Sequence, residues 1–254
     1  MTLTTAQLVR LGLANQACYD DGFMTAPDLV KVPASTVTII RGTDADGIVR
    51  PYGAAYFDIL LQAWCVVFRG TRNEGKWGIM EWLIDAAALM VDCPFLAGCR
   101  MHAGFRRLYE SMTAGGMSLQ VFIRTLAGAG LCPKPIIFVG HSLGAAIATC
   151  AAADLGQGAI LVTFASPRVG DDHFATIAMS RLGGNYRLVN SPDEVPRLAE
   201  RIEPLFNYSH LGVSIDLNSG DQVNADVHAW HALTTYLHEL DPAQPLEAIY
   251  AAAA

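Results

Sequence analysis

The stretch "IIFVGHSLGAAIAT", residues 136–149, sets an apolar run against a glycine, a serine and a series of small residues. Within it, Gly140-His141-Ser142-Leu143-Gly144 spells G-x-S-x-G between a predicted strand and a predicted helix. A nucleophile elbow needs that context: a sharp turn that lifts a serine hydroxyl above the edge of a sheet. Glycines at 140 and 144 let strand and helix approach closely, and the helix N-terminus adds positive partial charge for a developing oxyanion. The competing reading is a serine that merely caps the helix, which is much the commoner use of serine at such a place. Partners elsewhere in the chain have to decide between the two.

Working outward, apolar β-rich runs alternate with helical patterns. The runs "TVTII" (36–40), "AAYFDILLQAWCVVF" (54–68), "PIIFVG" (135–140), "AILVTFAS" (159–166) and "NYRLVN" (185–190) read as strands, the second holding two strands with a turn near Asp58 to Gln62. Several are apolar at consecutive positions, as strands covered on both faces are. Segments 102–129, 143–155, 171–182 and 229–240 read as helices, and Leu8, Leu11, Ala14 and Cys18 recur at the spacing of an amphipathic first helix. The alternation predicts an α/β fold with a mainly parallel sheet, its chemistry at the carboxyl ends of the strands.

At 254 residues, with no linker-like stretch and no repeat, the chain is expected to form a single domain over 1–254. It is 52% hydrophobic and only 16% charged, with a formal net charge of −7. Its scattered basic residues offer phosphates no positive stripe, which excludes nucleic acid as a partner. No apolar run is long enough for a transmembrane segment. The start, "MTLTTAQLVRLGLANQ", lacks the basic, apolar and small-residue regions of a secretory signal, so a cytoplasmic location is the default. Export without such a signal, or as a processed form, stays open. The oligomeric state is not readable.

The six cysteines, at 18, 65, 93, 99, 132 and 150, lack metal-ligand spacing. Cys65 and Cys150 read as small buried hydrophobes. Cys93 and Cys99 flank "PFLAG" and are the one pair placed to bridge a short loop.

A nucleophilic serine needs a base, and the base an orienting acid; elbow folds supply them in the order Ser, Asp or Glu, His. The acids to weigh are Asp171, Asp172, Asp193 and Glu194. Asp171 and Asp172 open the helix "DDHFATIAMS" as caps, whereas Asp193 follows "YRLVNSP" in a loop at a strand's carboxyl end and is the choice. Of the later histidines, His210 reads as a satisfied core residue and His238 as a helix C-terminal one. His228 and His231 both open the last helix after "DLNSGDQVNAD", and on residue chemistry alone they stand level. The oxyanion hole would take the N–H of Leu143 and, from the loop "FRGT", that of Thr71 with its hydroxyl.

These motifs, "VVFRGT", "HAGF" (102–105), "GHSLGAAIA", "TFASPRVGD" (163–171), "YRLVNSPDEVPRL" (186–198), "YSHLG" (208–212) and "HALTTYL" (231–237), stand in one order over roughly 60–240. Together they resemble the class 3 lipases, α/β-hydrolases of the filamentous-fungal triacylglycerol lipase type. The resemblance implies Ser142 as nucleophile, Asp193 as acid, and Thr71 with Leu143 at the oxyanion hole. It also breaks the histidine tie: the family histidine has a tyrosine five residues on, as His231 has Tyr236.

The same resemblance places a lid soon after the oxyanion loop, here an insertion over about 72–92, "RNEGKWGIMEWLIDAAALMVDC" from Arg72 to Cys93. Its Trp77, Ile79, Met80, Trp82 and Leu83 would either cap an acyl pocket or form a buried helix. The expected reaction is hydrolysis of carboxylic esters, with acylglycerols foremost and a phospholipase A1 or short-chain esterase as the alternative. A non-catalytic interaction module, and a protease or thioesterase, are the more distant readings. The acidic loop 216–226 lacks EF-hand spacing, and no nicotinamide or phosphate-loop fingerprint occurs, so no metal or cofactor is expected.

Overall fold

The computed structural model describes residues 1–20, 37–44, 46–71, 89–128, 134–197 and 207–251. Strands β1 (Thr38–Thr43), β2 (Val49–Asp58) and β3 (Ala63–Phe68) form an antiparallel meander. The turn between β2 and β3 is closed by the Asp58 carboxylate, which accepts from the N–H groups of Leu60 and Leu61 and pairs with Arg10 at 2.7 Å. From β3 the sheet continues in parallel through β8 (Ile136–His141), β9 (Ile160–Phe164), β11 (Gly184–Asn190) and β13 (Ser214–Leu217). A short hairpin, β6 (Thr113–Ala114) and β7 (Met117–Ser118), closes the other edge beside β1, giving nine strands. A second, four-stranded sheet joins β4 (Met90–Asp92), β5 (Arg100–His102), β10 (Gly170–Asp171) and β12 (Tyr208–Ser209).

The continuous apolar runs are explained by two separate cores, one on each face of the main sheet. Along β8, Ile136 and Phe138 point into one core while Ile137 and Val139 point into the other, the period of two that a pleated strand imposes. The first core receives α2 (Ala103–Ser111), α3 (Leu119–Gly128), α4 (Leu143–Leu155) and α5 (Asp172–Arg181). The second receives α1 (Thr5–Ala17) and α7 (Leu233–Leu240) through Leu8, Leu11, Ala14, Leu233, Tyr236 and Leu237. Each fully buried large side chain contributes roughly 1.5–3 kcal/mol, so both layers are held firmly to the sheet. Among the described residues no helix is long and apolar enough to cross a membrane.

Two sequence expectations need correction. Segment 102–129 is two helices, not one: Met112 turns extended, and Gly115 and Gly116, both at positive φ, make the tight hairpin turn between β6 and β7. His102 stands outside the helix and caps it, its Nδ1 accepting from the N–H groups of Gly104 and Phe105. Segment 229–240 is likewise broken: Ala232, with φ −60° and ψ 134°, separates α6 (Val227–His231) from α7. Cys93 and Cys99, whose bridging the sequence left open, are free thiols, as are Cys18, Cys65 and Cys150; the Cys99 thiol faces the Ala97 carbonyl in its own loop.

Candidate active site

The elbow forms where β8 passes into α4. Ser142 has φ 58° and ψ −126°, a conformation that costs a non-glycine residue about 1–3 kcal/mol. Its side chain makes no capping hydrogen bond to α4, which removes the helix-cap reading. The turn is tight because backbone meets backbone there. A Cβ on Gly140 would run into the Gly144 carbonyl, and a Cβ on Gly144 into the Phe68 carbonyl. The N–H of Ser142 bonds to the Phe164 carbonyl at 3.0 Å, tying the elbow to β9. Leu143 is the first residue of α4, so its N–H belongs to the helix end that has no intrahelical acceptor.

Asp193 and His231 meet, the imidazole Nδ1 donating to carboxylate Oδ2 at 2.9 Å. Asp193 is 2% exposed, and its charge is distributed over further donors. Tyr236 Oη donates to Oδ2 at 2.7 Å and the Val195 N–H to Oδ1 at 3.0 Å. The Tyr236 oxygen in turn accepts from the N–H of Asn190 at 3.1 Å, and its hydroxyl proton is held strongly, by burial first and then by the Asp193 charge. Asn190 links the two loops: its amide donates to Ser219 Oγ and to the Trp230 carbonyl, and its own oxygen accepts from the Ser219 N–H. The loop of Asp193 after β11 and the end of α6 that carries His231 are therefore held together by one buried asparagine. Sequence reasoning passed over it.

The other acids are engaged elsewhere. Asp171 caps α5 through the Phe174 N–H, Asp172 accepts from Asn207 and Ser209, and Glu194 pairs with Arg197. His210 bonds the Pro196 carbonyl and is pushed down to about 3 by burial, then by Arg187 and Arg168; His238 bonds the Gln244 carbonyl. His228 lies half-buried on the first turn of α6, without an acid partner among the described residues.

Thr71 lies in the stretch that follows β3, and its hydroxyl is buried without a hydrogen-bond partner among the described residues, as are Ser142 Oγ and His231 Nε2. These three atoms make no hydrogen bond to one another, a spacing that catalytic groups commonly show before substrate binds. The loop itself is braced by Arg69, which donates to the Gly70 and Pro51 carbonyls and lies 5.0 Å from the centre of the Tyr52 ring.

A further network went unnoticed in the sequence. His141, the residue before Ser142, places its ring 4.8 Å from that of His231 and its Nε2 at 2.8 Å from the His231 carbonyl. A carbonyl only accepts, so Nε2 carries the proton and Nδ1 is the acceptor for Tyr19 Oη at 2.6 Å. The Tyr19 oxygen accepts from the Gly70 N–H at 2.7 Å. His141 stays neutral, pushed down to about 3 by burial and secondarily by the charge of His231. The expected lid residues Trp77, Ile79, Met80, Trp82 and Leu83 lie outside the described residues. Among the described residues no cluster of His, Cys, Asp and Glu is arranged to hold a metal ion.

A strained serine between a central parallel strand and its helix, with an acid–histidine pair over the same sheet edge, defines an α/β-hydrolase. The family model for Lipase (class 3) matches residues 65–202. The chain is 31% identical over 205 residues to the secreted mono- and diacylglycerol lipase 1 of Fusarium solani, covering 78% of this chain and 56% of that protein. It is 30% identical over 214 residues to phospholipase A1-II 4 of Oryza sativa subsp. japonica, covering 70% and 50%. In structure it resembles the mono- and diacylglycerol lipase from Aspergillus oryzae, with a TM-score of 0.67, 24% identity, and coverage of 95% of this chain and 99% of that one. The chain belongs to the class 3 lipase family. It spans about half the length of the curated relatives it matches.

Proposed function

We propose that this protein hydrolyses carboxylic esters, acylglycerols foremost, through an acyl-enzyme on Ser142. His231 takes the Ser142 proton as Oγ attacks the ester carbonyl, and Asp193 fixes the tautomer that leaves Nε2 free to do so. The N–H groups of Thr71 and Leu143 receive the oxyanion, each such donor being worth about 2.7–4 kcal/mol in the transition state. Protonated His231 then delivers its proton to the departing alcohol, and water repeats the sequence on the acyl group. The observation that carries the reading is the 2.9 Å pair of Asp193 and His231 beside a serine held at φ 58° with no capping bond.

Turnover of p-nitrophenyl esters over a series of acyl lengths, with and without an emulsion, tests this beside Ser142→Ala. Loss of turnover in the variant and a rate rising toward longer chains are expected. Full turnover by Ser142→Ala would overturn the assignment, and a rate that peaks at two carbons and ignores the interface would leave a short-chain esterase. Phospholipase A1 activity is the second reading, supported by the rice relative's name. A lid over about 72–92 within one domain is part of the same proposal, and the secreted status of the Fusarium solani relative supports export of this chain.

A further inference from the structure

Helix α6 is five residues long, too short to hold itself in water, yet it carries His231 at its last position. The final four carbonyls of a helix lack intrahelical partners, and the extended backbone at Ala232 ends the helix there. In α6 all four carbonyls are met from outside. The His228 carbonyl accepts from the Ala232 N–H at 2.8 Å, and the Ala229 carbonyl from Thr235 Oγ1 at 2.7 Å. The Trp230 carbonyl accepts from Asn190 Nδ2 at 2.9 Å, and the His231 carbonyl from His141 Nε2 at 2.8 Å.

We propose that Asn190 is a positioning residue for the acid–histidine pair, its side chain fixing the helix end that carries His231 and its backbone fixing Asp193. The inference rests on the ester-hydrolase reading above and adds to it a residue outside the triad.

The two halves of that role are visible in five hydrogen bonds. Asn190 is fully buried and ends β11. Its carbonyl accepts from the Asp193 N–H at 2.9 Å. Its own N–H donates to Tyr236 Oη at 3.1 Å, and that hydroxyl donates to Asp193 Oδ2 at 2.7 Å. On the side-chain half, Nδ2 donates to Ser219 Oγ at 2.8 Å as well as to the Trp230 carbonyl, while Oδ1 accepts from the Ser219 N–H at 2.9 Å. Ser219 is itself fully buried, in the loop that runs from β13 to α6. One carboxamide therefore grips both the start of that loop and the end of the helix it feeds.

The partners specify the residue type. Two of them accept and one donates, and a carboxamide supplies two N–H donors and an acceptor on one short stem. Aspartate has no donor and would set a negative charge against the Trp230 carbonyl. Leucine keeps the bulk and gives up all three side-chain bonds, leaving the Trp230 carbonyl free to shift. A reacting group misplaced by about 1 Å can cost about 10²-fold in rate, so a small movement of α6 would be read directly in turnover.

The test joins kinetics to a resonance. An imidazole Nδ1–H bonded to a carboxylate gives a proton signal far downfield of the amides, and its loss in Asp193→Asn assigns it to His231. In Asn190→Leu this signal should move or broaden away, and kcat on p-nitrophenyl esters should fall by about 10- to 100-fold with KM changed less than about twofold. Ser219→Ala, which removes one of the three side-chain bonds, should lower kcat by less and move the signal in the same direction. If Asn190→Leu fails to fold, Ser219→Ala carries the same two measurements. Tyr109→Phe gives up a buried bond to Asp154 at 2.8 Å in the first core and serves as the control for lost stability alone. A signal that stays in place in the folded variants, or a loss of kcat no greater than that of Tyr109→Phe at equal loss of melting temperature, would overturn the positioning role and leave the hydrolase reading intact. If the wild type turned over no ester, the hydrolase reading would fall, and the resonance would still decide whether Asn190 sets the bond between Asp193 and His231.

Discussion

The imidazole of His141 holds the backbone carbonyl of His231 at 2.8 Å, so the residue before the elbow serine positions the main chain of the histidine that would activate it. Through Tyr19 the same imidazole reaches the N–H of Gly70, next to Thr71. One chain of three hydrogen bonds thus links the Gly70–Thr71 loop, the elbow and His231.

Tyr19→Phe should therefore reduce turnover without emptying the site. The change orphans the Gly70 N–H and His141 Nδ1, at a cost of about 1–3 kcal/mol for a buried group left unpaired. Steady-state kinetics on a soluble ester should show kcat lower by about tenfold with KM little changed. An unaltered kcat beside a lowered melting temperature would reduce Tyr19 to a packing role.

The Asp193 carboxylate offers a graded pair of substitutions. Asp193→Asn would remove the acceptor that fixes the His231 tautomer, and kcat is expected to fall by about 10⁴-fold. Tyr236→Phe removes only one donor to the same oxygen, a bond to a charged group worth about 1.5–3 kcal/mol, and should cost about one to two decades. If both variants lost activity equally, the carboxylate would not be acting through its bond to His231.

Acidification should destabilise the fold ahead of general acid denaturation. Burial pushes His102 down to about 4, and His141 and His210 to about 3, against an ordinary value of 6.5. Between about pH 6.5 and pH 3–4 the unfolded chain takes up protons at these positions and the folded chain does not. Their neutral burial therefore imposes a cost that grows as pH falls through 6.5, up to about 1.4 kcal/mol per pH unit for each group. Melting temperature measured from pH 8 to pH 4 should fall below 6.5, and the slope should flatten in His210→Gln. A flat profile across this window would refute the linkage.

Gly144→Ala should fail to fold or should lose several kcal/mol, since its methyl would enter the space of the Phe68 carbonyl. Gly116→Ala, with nothing near its Cβ direction, should cost only the strain of its φ of 79°. Urea titration of the two proteins checks the contrast.

Much of the candidate site could be proposed from the sequence because its residues are tied to local chain features. Ser142 sits in a five-residue pattern, Asp193 follows a strand, and Thr71 follows another; their spacing survives as letters. The histidine could not be chosen from the letters alone, because His228 and His231 lie on the same short helix and only the long-range meeting with Asp193 separates them. Asn190, Tyr19 and His141 act through partners 29 to 122 residues away, which no local pattern encodes. The fold was legible to a similar depth. Strands buried on both faces announce themselves as apolar runs, whereas the breaks at Gly115-Gly116 and Ala232 interrupt helices whose periodicity carries across the gap. Ala232 in particular offers no proline or glycine to mark the place.

The φ of 58° at Ser142 sets the fold against its own function. Glycine occupies that backbone region freely, so Ser142→Gly should melt higher than the wild type while doing nothing to esters. Selection for thermal persistence alone would favour the glycine. Engineering for heat tolerance would do best to leave the elbow alone and work at the distant sheet edge formed by β6 and β7.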